Sequence, residues 1–473
     1  MNQTEFQHLM NRAGFGATPD ELAGCEKKSR QEVVNHLFSQ SSKPVAINVL
    51  NRADVEEAMD AKKEKDRATK KEFRKILIEK GVELNVSWLK RMIAAPEQLN
   101  EKMTFFWHGH FACRDKNPLF LQSLNNAMRN NALGHFKNIL MAVAQSPAML
   151  QFLNNQQNKK NAPNENFARE VMELFTLGRG NYTEKDIKEA ARAFTGWGYD
   201  QETQSFNFKE RQHDFEEKHF FGKTGNFDGE DIINMILAKK ECARFITGKI
   251  YQFFVNDERD EKIIEALADK LYASKYDIGA LMKEIFLADW FYDKKNIGSR
   301  IKSPIELIVG TTRWLGAEYG GEDALVFVQR ILGQVLFLPP NVAGWPNGKR
   351  WIDSSSLVFR MDLAKKIIQL SDFNQRLKAD DDTDPNMQNM KEKLAGKKGK
   401  LYTLDAKIDW DKISQHFSFS SNEQLFNQVV DSLLLTGNIN YSNANYTFKE
   451  PEKNTKIKSL TIYLMSRPEF QLC

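Results

Sequence analysis

Helix-start signals recur along this chain, and they limit the folds open to it more than any other feature of the sequence. In Thr18–Glu21 and in Ser303–Glu306, a hydroxyl residue precedes a proline at the first helical position, and a glutamate stands three residues after the hydroxyl. Ser29–Glu32 is a third capping box, without the proline. Such boxes satisfy free N–H groups at the start of a helix. The chain is therefore expected to consist mainly of helices.

Strand signals are scarce by comparison. The best is the stretch 204–208, where alternating aromatic residues predict one arm of a small hairpin before His213. Hydrophobic residues make up 41% of the 473 residues and include 33 phenylalanines, so the chain has the apolar content for a large core. We predict a mainly α, multi-helical globular fold with at most a small β-hairpin, with at least about 50% helix and under about 10% strand.

The charge balance argues against nucleic acid as a partner, because 67 Lys and Arg nearly offset 63 Asp and Glu and leave a net charge of +4. No run approaches the ~18 apolar residues of a membrane span. The first residues lack the basic and apolar regions of a signal peptide. A cytoplasmic location is predicted for the chain as given, and a periplasmic one if a leader was removed. The four cysteines form no CxxC pair, which predicts reduced structural thiols.

The segment 371–400 is a predicted domain boundary. It contains DDDTDP and GKKGK, a polar composition rich in helix breakers that is typical of a linker or long loop. We predict a helical core domain at 1–370 that bears the candidate site, and a C-terminal helical lobe at 401–473 that packs on the core. The linker is expected to be the most mobile internal segment. Residues 54–80, which mix acidic and basic side chains, predict a solvated helix or helical arm.

Two of the eight histidines, His108 and His110, lie together in the aromatic segment Phe105–Phe111. Residues two apart point about 200° apart on an α-helix, so both bind one metal ion only if the backbone is extended at that point. Gly109 would permit such a break. The alternative is that the imidazoles make local hydrogen bonds beside an aromatic core.

The segment 164–175 predicts a helix with a polar stripe. At about 100° per residue, Asn166, Glu170 and Glu173 fall on one stripe, with Arg169 at its edge and an apolar stripe beside it. Carboxylates three residues apart can share a metal ion or divide the roles of acid and base. The alternative is an ordinary solvated face with an Arg–Glu pair.

Two further motifs are predicted to lie in loops. Adjacent His213 and Asp214 can serve as metal ligands or as a base and its orienting partner, and the alternative is a surface turn. The segment 339–351 is too rich in Pro and Gly to continue a helix. Its residues Trp345 and Trp351, if exposed, suit stacking against a sugar or another flat ligand. The alternative is an Ω-loop that plugs the core.

Together these segments resemble a bacterial family, domain-of-unknown-function family 1800. The resemblance is carried by LMNRAGFGA at 9–17, FWHGHF at 106–111, NENFARE at 164–170, ELFTLG at 173–178, FTGW at 194–197, His213-Asp214 with Lys218, NVAGWP at 341–346 and RPEFQ at 467–471. It implies a bacterial origin and a largely helical fold, without an established reaction, cofactor or catalytic residue. Members are often encoded beside a sulfatase-like protein, which is therefore a candidate partner. Many begin with an export signal, which this chain as given lacks.

Two functional hypotheses follow. In the first, the chain is a metal-assisted, hydrolase-like enzyme that holds Zn, Fe or Mn beside a Trp-containing loop. The predicted metal ligands are His108, His110, Glu170 and His213, the predicted catalytic residues are Glu170, Glu173, His213 and Asp214, and the predicted ligand-binding residues are Asn166, Arg169, Lys218, Asn341, Trp345 and Trp351. In the second, the chain is a non-catalytic binding or assembly partner of the sulfatase-like protein. The first hypothesis requires Glu170 and Glu173 to face His108 or His213 across an internal pocket.

Overall fold

The computed structural model describes residues 1–53, 67–200, 203–321, 323–370, 404–436 and 439–473. The described residues are 60% helical and form 20 helices and three small two-stranded sheets. The prediction of a mainly α fold is therefore confirmed. The segment 371–400, which we predict to be the most mobile, lies outside the described residues, as do residues 54–66 of the predicted helical arm.

The first ten helices lie before residue 194. They are α1 (Gln3–Ala13), α2 (Pro19–Leu22), α3 (Arg30–Gln40), α4 (Arg67–Ala94), α5 (Gln98–His110), α6 (Pro118–Asn131), α7 (Phe136–Ala144), α8 (Pro147–Phe152), α9 (Glu165–Glu170) and α10 (Glu184–Ala193). Both capping boxes predicted here are present. Thr18 caps α2 and Ser29 caps α3, each with reciprocal hydrogen bonds to the glutamate three residues later. Helix α5 is buried from its start to His108, which makes it a central element of the fold.

Ten further helices form the second half of the chain. They are α11 (Gly229–Leu237), α12 (Lys240–Phe254), α13 (Glu261–Ala273), α14 (Ile278–Leu287), α15 (Pro304–Leu315), α16 (Asp323–Ile331), α17 (Ser354–Ile368), α18 (Trp410–Ser414), α19 (Asn422–Leu433) and α20 (Lys453–Met465). The third predicted capping box, at Ser303, starts α15. Helix α20 packs against α17, and the Gln7 side chain of α1 donates to the Asp431 carbonyl of α19 at 2.8 Å. The C-terminal helices thus pack on the core, while the division into domains stays a prediction.

The described strands are short and antiparallel. Strand β1 (Trp197–Tyr199) pairs with β2 (Phe206–Phe208), so that Trp197 lies opposite Phe208. This pair is the hairpin expected at 204–208. Strands β3 (Lys218–Phe220) and β4 (Lys223–Gly225) form a second hairpin, and β5 (Glu318–Tyr319) pairs with β6 (Ala406–Lys407).

A single hydrophobic cluster runs through the described residues, from Phe6 in α1 to Phe470 near the end of the chain. The four cysteines are buried and unpaired. None of the described helices is both long and apolar enough to cross a membrane. The polar motifs of the sequence therefore lie on or within one continuous hydrophobic core.

Candidate functional site

His108 lies near the end of α5 and binds a distant loop. Its Nε2 atom accepts a hydrogen bond from the backbone N–H of Phe337 at 3.1 Å. Phe337 has a left-handed backbone with φ of 66°. The imidazole also contacts the rings of Trp88 and Trp345, with centroids 4.9 Å and 5.2 Å away. Burial lowers the pKa of His108 to about 3, so the ring is neutral at pH 7 and anchors a strained residue.

His110, the last residue of α5, binds a different backbone group. Its Nε2–H donates to the carbonyl oxygen of Phe175 at 3.0 Å. Burial, with a smaller effect of Lys249, lowers the pKa of His110 to about 3. Because the backbone remains helical through His110, the extended geometry that would let both imidazoles bind one ion is not formed.

Helix α9 passes directly into a π-helical segment, Val171–Thr176. Within it, the Glu173 carboxylate accepts hydrogen bonds from Arg179 Nε at 2.5 Å and from the Tyr182 hydroxyl at 2.9 Å. The bond from Arg179 lowers the pKa of Glu173. Glu173 is therefore a charged group whose two oxygens already have local partners.

Of the other residues in the predicted polar stripe, Arg169 and Asn166 have hydrogen-bond partners and Glu170 has none among the described residues. Arg169 is bound by Glu184 at 2.8 Å, and the Asn166 side chain donates to a main-chain carbonyl at 3.2 Å. Glu170 is half-buried and makes no hydrogen bond with the described residues. Burial raises the pKa of Glu170, and the neighbouring Glu173 raises it further. Glu170 is thus the member of the stripe with a free carboxyl group.

His213 is buried, with 2% of its surface exposed, at the end of the first hairpin. Its Nδ1–H donates to the Thr195 carbonyl at 2.8 Å. Its ring meets the rings of Phe208 and Phe215 edge-on, with centroids 5.1 Å and 4.7 Å away. The imidazole therefore joins one buried backbone group to two aromatic side chains.

Asp214 and Lys218 hold the same loop in place. The Asp214 carboxylate lies 2.7 Å from Arg192 Nε, and Arg192 lowers the pKa of Asp214 although burial opposes that effect. The Lys218 ammonium group donates to the Asp214 carbonyl at 2.6 Å and to Asn226 Oδ1 at 3.3 Å. These contacts hold His213 and Asp214 firmly in place and so fix the loop around them.

The loop at 339–351 packs against the end of α5. Asn341 Oδ1 accepts from the amide two residues later at 2.9 Å, which closes a turn. Gly344 has φ of 83°, and a Cβ there would lie 2.6 Å from the Gly109 carbonyl oxygen. Trp345 is half-buried, whereas Trp351 is 5% exposed and has no free face for stacking. The core-plugging alternative therefore describes Trp351 better than the ligand-stacking interpretation.

The structure brings FWHGHF into contact with NVAGWP and with ELFTLG, and it joins FTGW to His213 and Asp214, but these contacts do not gather the predicted metal ligands at one point. Across the described ranges, no hydrogen bond or ion pair joins a predicted carboxylate ligand to a predicted imidazole ligand. Nor does the described part of the chain contain a group of three or more His, Cys, Asp or Glu residues suited to holding a metal ion. Metal binding, and the facing of Glu170 and Glu173 toward the imidazoles, stay predictions.

A set of buried charges, named the cation cluster, was not predicted from the sequence. Its members are Arg12, Lys102, Arg300, Lys302 and Arg360, grouped around the carboxylate of Glu306. The Lys102 ammonium lies 2.5 Å from the Glu306 carboxylate. The signal in the sequence is weak: Lys102 precedes the apolar run of α5, and Arg12 looks like an ordinary basic residue in the last turn of a helix.

These observations define a mainly α protein with a rigid aromatic hairpin, a Trp-containing loop packed on its central helix, and a buried set of cations. The profile of the protein family of unknown function DUF1800 matches residues 8–472, and the chain belongs to this family. The resemblance found from the sequence motifs is thereby confirmed. No curated protein and no solved structure matches the chain.

Proposed function

We propose that this protein is a non-catalytic binding protein that docks another folded protein on a surface formed by Phe208 and Phe215. The main support is the exposure of both rings, 41% for Phe208 and 54% for Phe215, beside the buried ring of His213. Exposed aromatic rings that share one location are typical of the centre of a protein–protein interface. The two phenylalanines are hereafter called the aromatic pair.

The base beneath the aromatic pair is rigid. His213 is bound to the Thr195 carbonyl, and Asp214 is bound to Arg192. A surface held in its binding conformation loses little conformational entropy when a partner docks. On this proposal His213 and Asp214 need no catalytic role, because their polar groups serve to fix the position of the two phenylalanines.

The surroundings of the aromatic pair also fit a protein partner. Exposed charged residues of both signs lie beside it in the chain, namely Glu210, Arg211, Glu216 and Glu217. An apolar centre within a charged, solvated rim is the usual anatomy of a protein interface. The candidate partner is a sulfatase-like protein of the kind that the family resemblance suggests.

The test is titration calorimetry between the purified chain and that sulfatase-like protein. Replacing both Phe208 and Phe215 by Ala is expected to weaken the complex by about tenfold or more, because an aromatic side chain at an interface centre contributes about 2 kcal/mol or more. Val358→Ala is the matched control, since Val358 is a 61% exposed apolar residue on α17. The proposal fails if no complex forms, or if the double variant and the control bind alike.

A metal-assisted hydrolase is the second candidate, and Glu170 supports it. This carboxyl group is half-buried, lacks a hydrogen bond to the described residues and adjoins a π-helical segment, a feature frequent at functional sites. A carboxyl group with a raised pKa suits general acid–base chemistry. Elemental analysis of protein purified without a histidine tag tests it: stoichiometric Zn, Fe or Mn that is lost in Glu170→Gln would support the enzyme, and metal-free protein would remove this candidate.

A further inference from the structure

The outer edge of strand β2 carries free backbone hydrogen-bonding groups. In an antiparallel pair, positions that exchange hydrogen bonds alternate with positions whose N–H and C=O groups point away from the partner strand. The Lys209 amide donates to the Gly196 carbonyl at 2.7 Å, and the Asp200 amide donates to the Ser205 carbonyl at 2.9 Å. These two bonds fix the alternation along the whole β1–β2 hairpin.

Phe206 and Phe208 occupy the outward-pointing positions of β2. Asn207, which lies between them, is opposite Gly198 and falls at a hydrogen-bonded position. No backbone or side-chain group of the described residues forms a hydrogen bond with the main chain of Phe206 or Phe208. The edge therefore offers two N–H and two C=O groups, with the two residues about 7 Å apart along the strand.

The other edge of the same hairpin is already in contact with the protein. On β1, the Trp197 carbonyl accepts a hydrogen bond from the Asn155 side chain at 3.2 Å, and the Trp197 amide donates to a main-chain carbonyl at 3.3 Å. Among the described strands, β2 pairs with β1 alone. Ser205, Asn207 and Phe208 are all exposed. The free groups of β2 are thus accessible from solvent.

We infer that the docked protein adds an extended segment to β2 as a third strand. This inference rests on the proposed function and names the part of the partner that binds: a segment without a strand neighbour of its own, with apolar side chains at alternate positions. An extended chain presents N–H and C=O groups at the spacing of the free groups on β2. An α-helix uses its backbone groups internally and would leave this edge without partners.

The side chains of β2 explain why alternate residues of the partner segment should be apolar. Successive side chains of a strand point to opposite faces, so Phe206 and Phe208 share one face and Asn207 lies on the other. The Phe206 ring packs edge-on against Trp197 at 5.3 Å, and the Phe208 ring contacts His213 at 5.1 Å. Apolar partner residues beside these phenylalanines would extend an aromatic face, and such cross-strand pairs are stabilising.

The third strand and the aromatic pair belong to one surface. The Phe215 ring contacts the same imidazole as Phe208, with centroids 4.7 Å apart. A strand added to β2 would therefore lie beside both phenylalanines. Proteins commonly protect an open edge with Lys or Pro, but the three residues of β2 are Phe, Asn and Phe. An exposed aromatic residue on such an edge favours pairing with another strand.

Hydrogen exchange resolved to single residues, measured with and without the same sulfatase-like protein, tests the inference. In the free chain, the amides of Phe206 and Phe208 should exchange faster than that of Asn207, because only Asn207 occupies a position that donates within the hairpin. In the complex, the exchange of Phe206 and Phe208 should slow about tenfold or more, while that of Asn207 changes less.

Phe206→Pro and Phe206→Ala are matched variants for the affinity measurement. Both lose the ring, only proline loses the outward N–H, and neither removes a hydrogen bond between β1 and β2. Phe206→Pro is expected to weaken the complex about fivefold more than Phe206→Ala, since one hydrogen bond to the partner is lost. If Phe206→Pro does not fold, Phe208→Pro is compared with Phe208→Ala.

The outcomes separate this inference from the proposed function. If the complex forms and depends on the aromatic pair while the exchange of both amides is unchanged, the third strand is refuted and the docking surface stands. If no complex forms, both are refuted. Slower exchange of these amides in the chain alone, rising with its concentration, would show that a second copy covers the edge and would overturn the inference. Equal affinities of the Pro and Ala variants would overturn it as well.

Discussion

Replacing Glu306 with Gln is expected to remove about 3–5 kcal/mol from the free energy of unfolding. The carboxylate is 4% exposed, lies 2.5 Å from the Lys102 ammonium and accepts a hydrogen bond from the Ser303 amide at 2.8 Å. The glutamine keeps an acceptor for Ser303, but it removes the carboxylate that is paired with the buried ammonium group of Lys102. The loss should therefore come mainly from the ion pair and less from the cap.

Glu32→Gln is the control that separates these two contributions. Glu32 occupies the same capping-box position in α3, where it accepts from the Ser29 amide at 2.7 Å, but it lies at the surface without a buried cation. Its replacement should cost much less stability than that of Glu306, because it changes only a hydrogen bond at the surface. Urea unfolding at neutral pH, followed by far-UV circular dichroism, measures both variants. Equal losses in Glu306→Gln and Glu32→Gln would refute the reasoning.

The pH dependence of the same variant adds an independent check. Burial opposes ionisation of Glu306, but Lys102 and Arg300 outweigh it, and the pKa of Glu306 is lowered. A carboxyl group with a lowered folded-state pKa contributes stability above its unfolded pKa of about 4.3 and loses that contribution as the pH falls. Glu306→Gln should therefore lose less stability than the wild type between about pH 5 and pH 3.

Two further predictions concern the end of α5. The pKa of His108 is lowered to about 3, so on acidification the unfolded chain binds a proton at His108 before the folded chain does, and the free energy of unfolding falls by about 1.4 kcal/mol per pH unit below about pH 6.5. His108→Gln keeps an acceptor for Phe337 and should make the urea midpoint less dependent on pH over that range. An unchanged pH dependence would contradict this prediction. Gly344→Ala should destabilise the chain by at least about 1 kcal/mol more than Gly222→Ala, since only the former places Cβ against the Gly109 carbonyl, and equal urea midpoints would contradict this.

The helical architecture was predictable because its signals are local. The hydroxyl of Thr18, Ser29 or Ser303 and the glutamate three residues later form a complete hydrogen-bonded unit within one turn. The hairpin at 204–208 likewise needed a partner strand only a few residues away, in β1. Such interactions form whatever the rest of the chain does, so sequence spacing is enough to reveal them.

The roles of the histidines were not predictable in the same way. His108 binds the Phe337 amide and His110 binds the Phe175 carbonyl, and both are backbone atoms far away in the chain. A sequence shows that an imidazole is present, but it does not show whether a distant main-chain group already occupies its nitrogen. The same sequence is therefore compatible with histidines that bind a metal ion and with histidines that bind the backbone.

The cation cluster was hidden for a related reason. Arg12 and Arg300 lie in distant parts of the chain, and each resembles an ordinary surface charge in its own segment. Their burial depends on the packing of α1 against the segment before α15, which no local pattern specifies. The burial of these charges is a property of the folded core and becomes visible only when distant segments are placed together.

The hydrogen bonds of the histidines also limit which groups a metal ion would recruit. An ion that took the Nε2 lone pair of His108 would displace the Phe337 amide and leave a buried N–H without an acceptor, at a cost of about 1–3 kcal/mol. It would also release a residue held in a left-handed conformation. Glu170 carries no such cost, because its carboxyl group has no hydrogen bond to break within the described chain. A bound metal would therefore depend on Glu170 more than on His108, so Glu170→Gln, rather than a histidine variant, is the substitution that separates the enzyme from the binding protein.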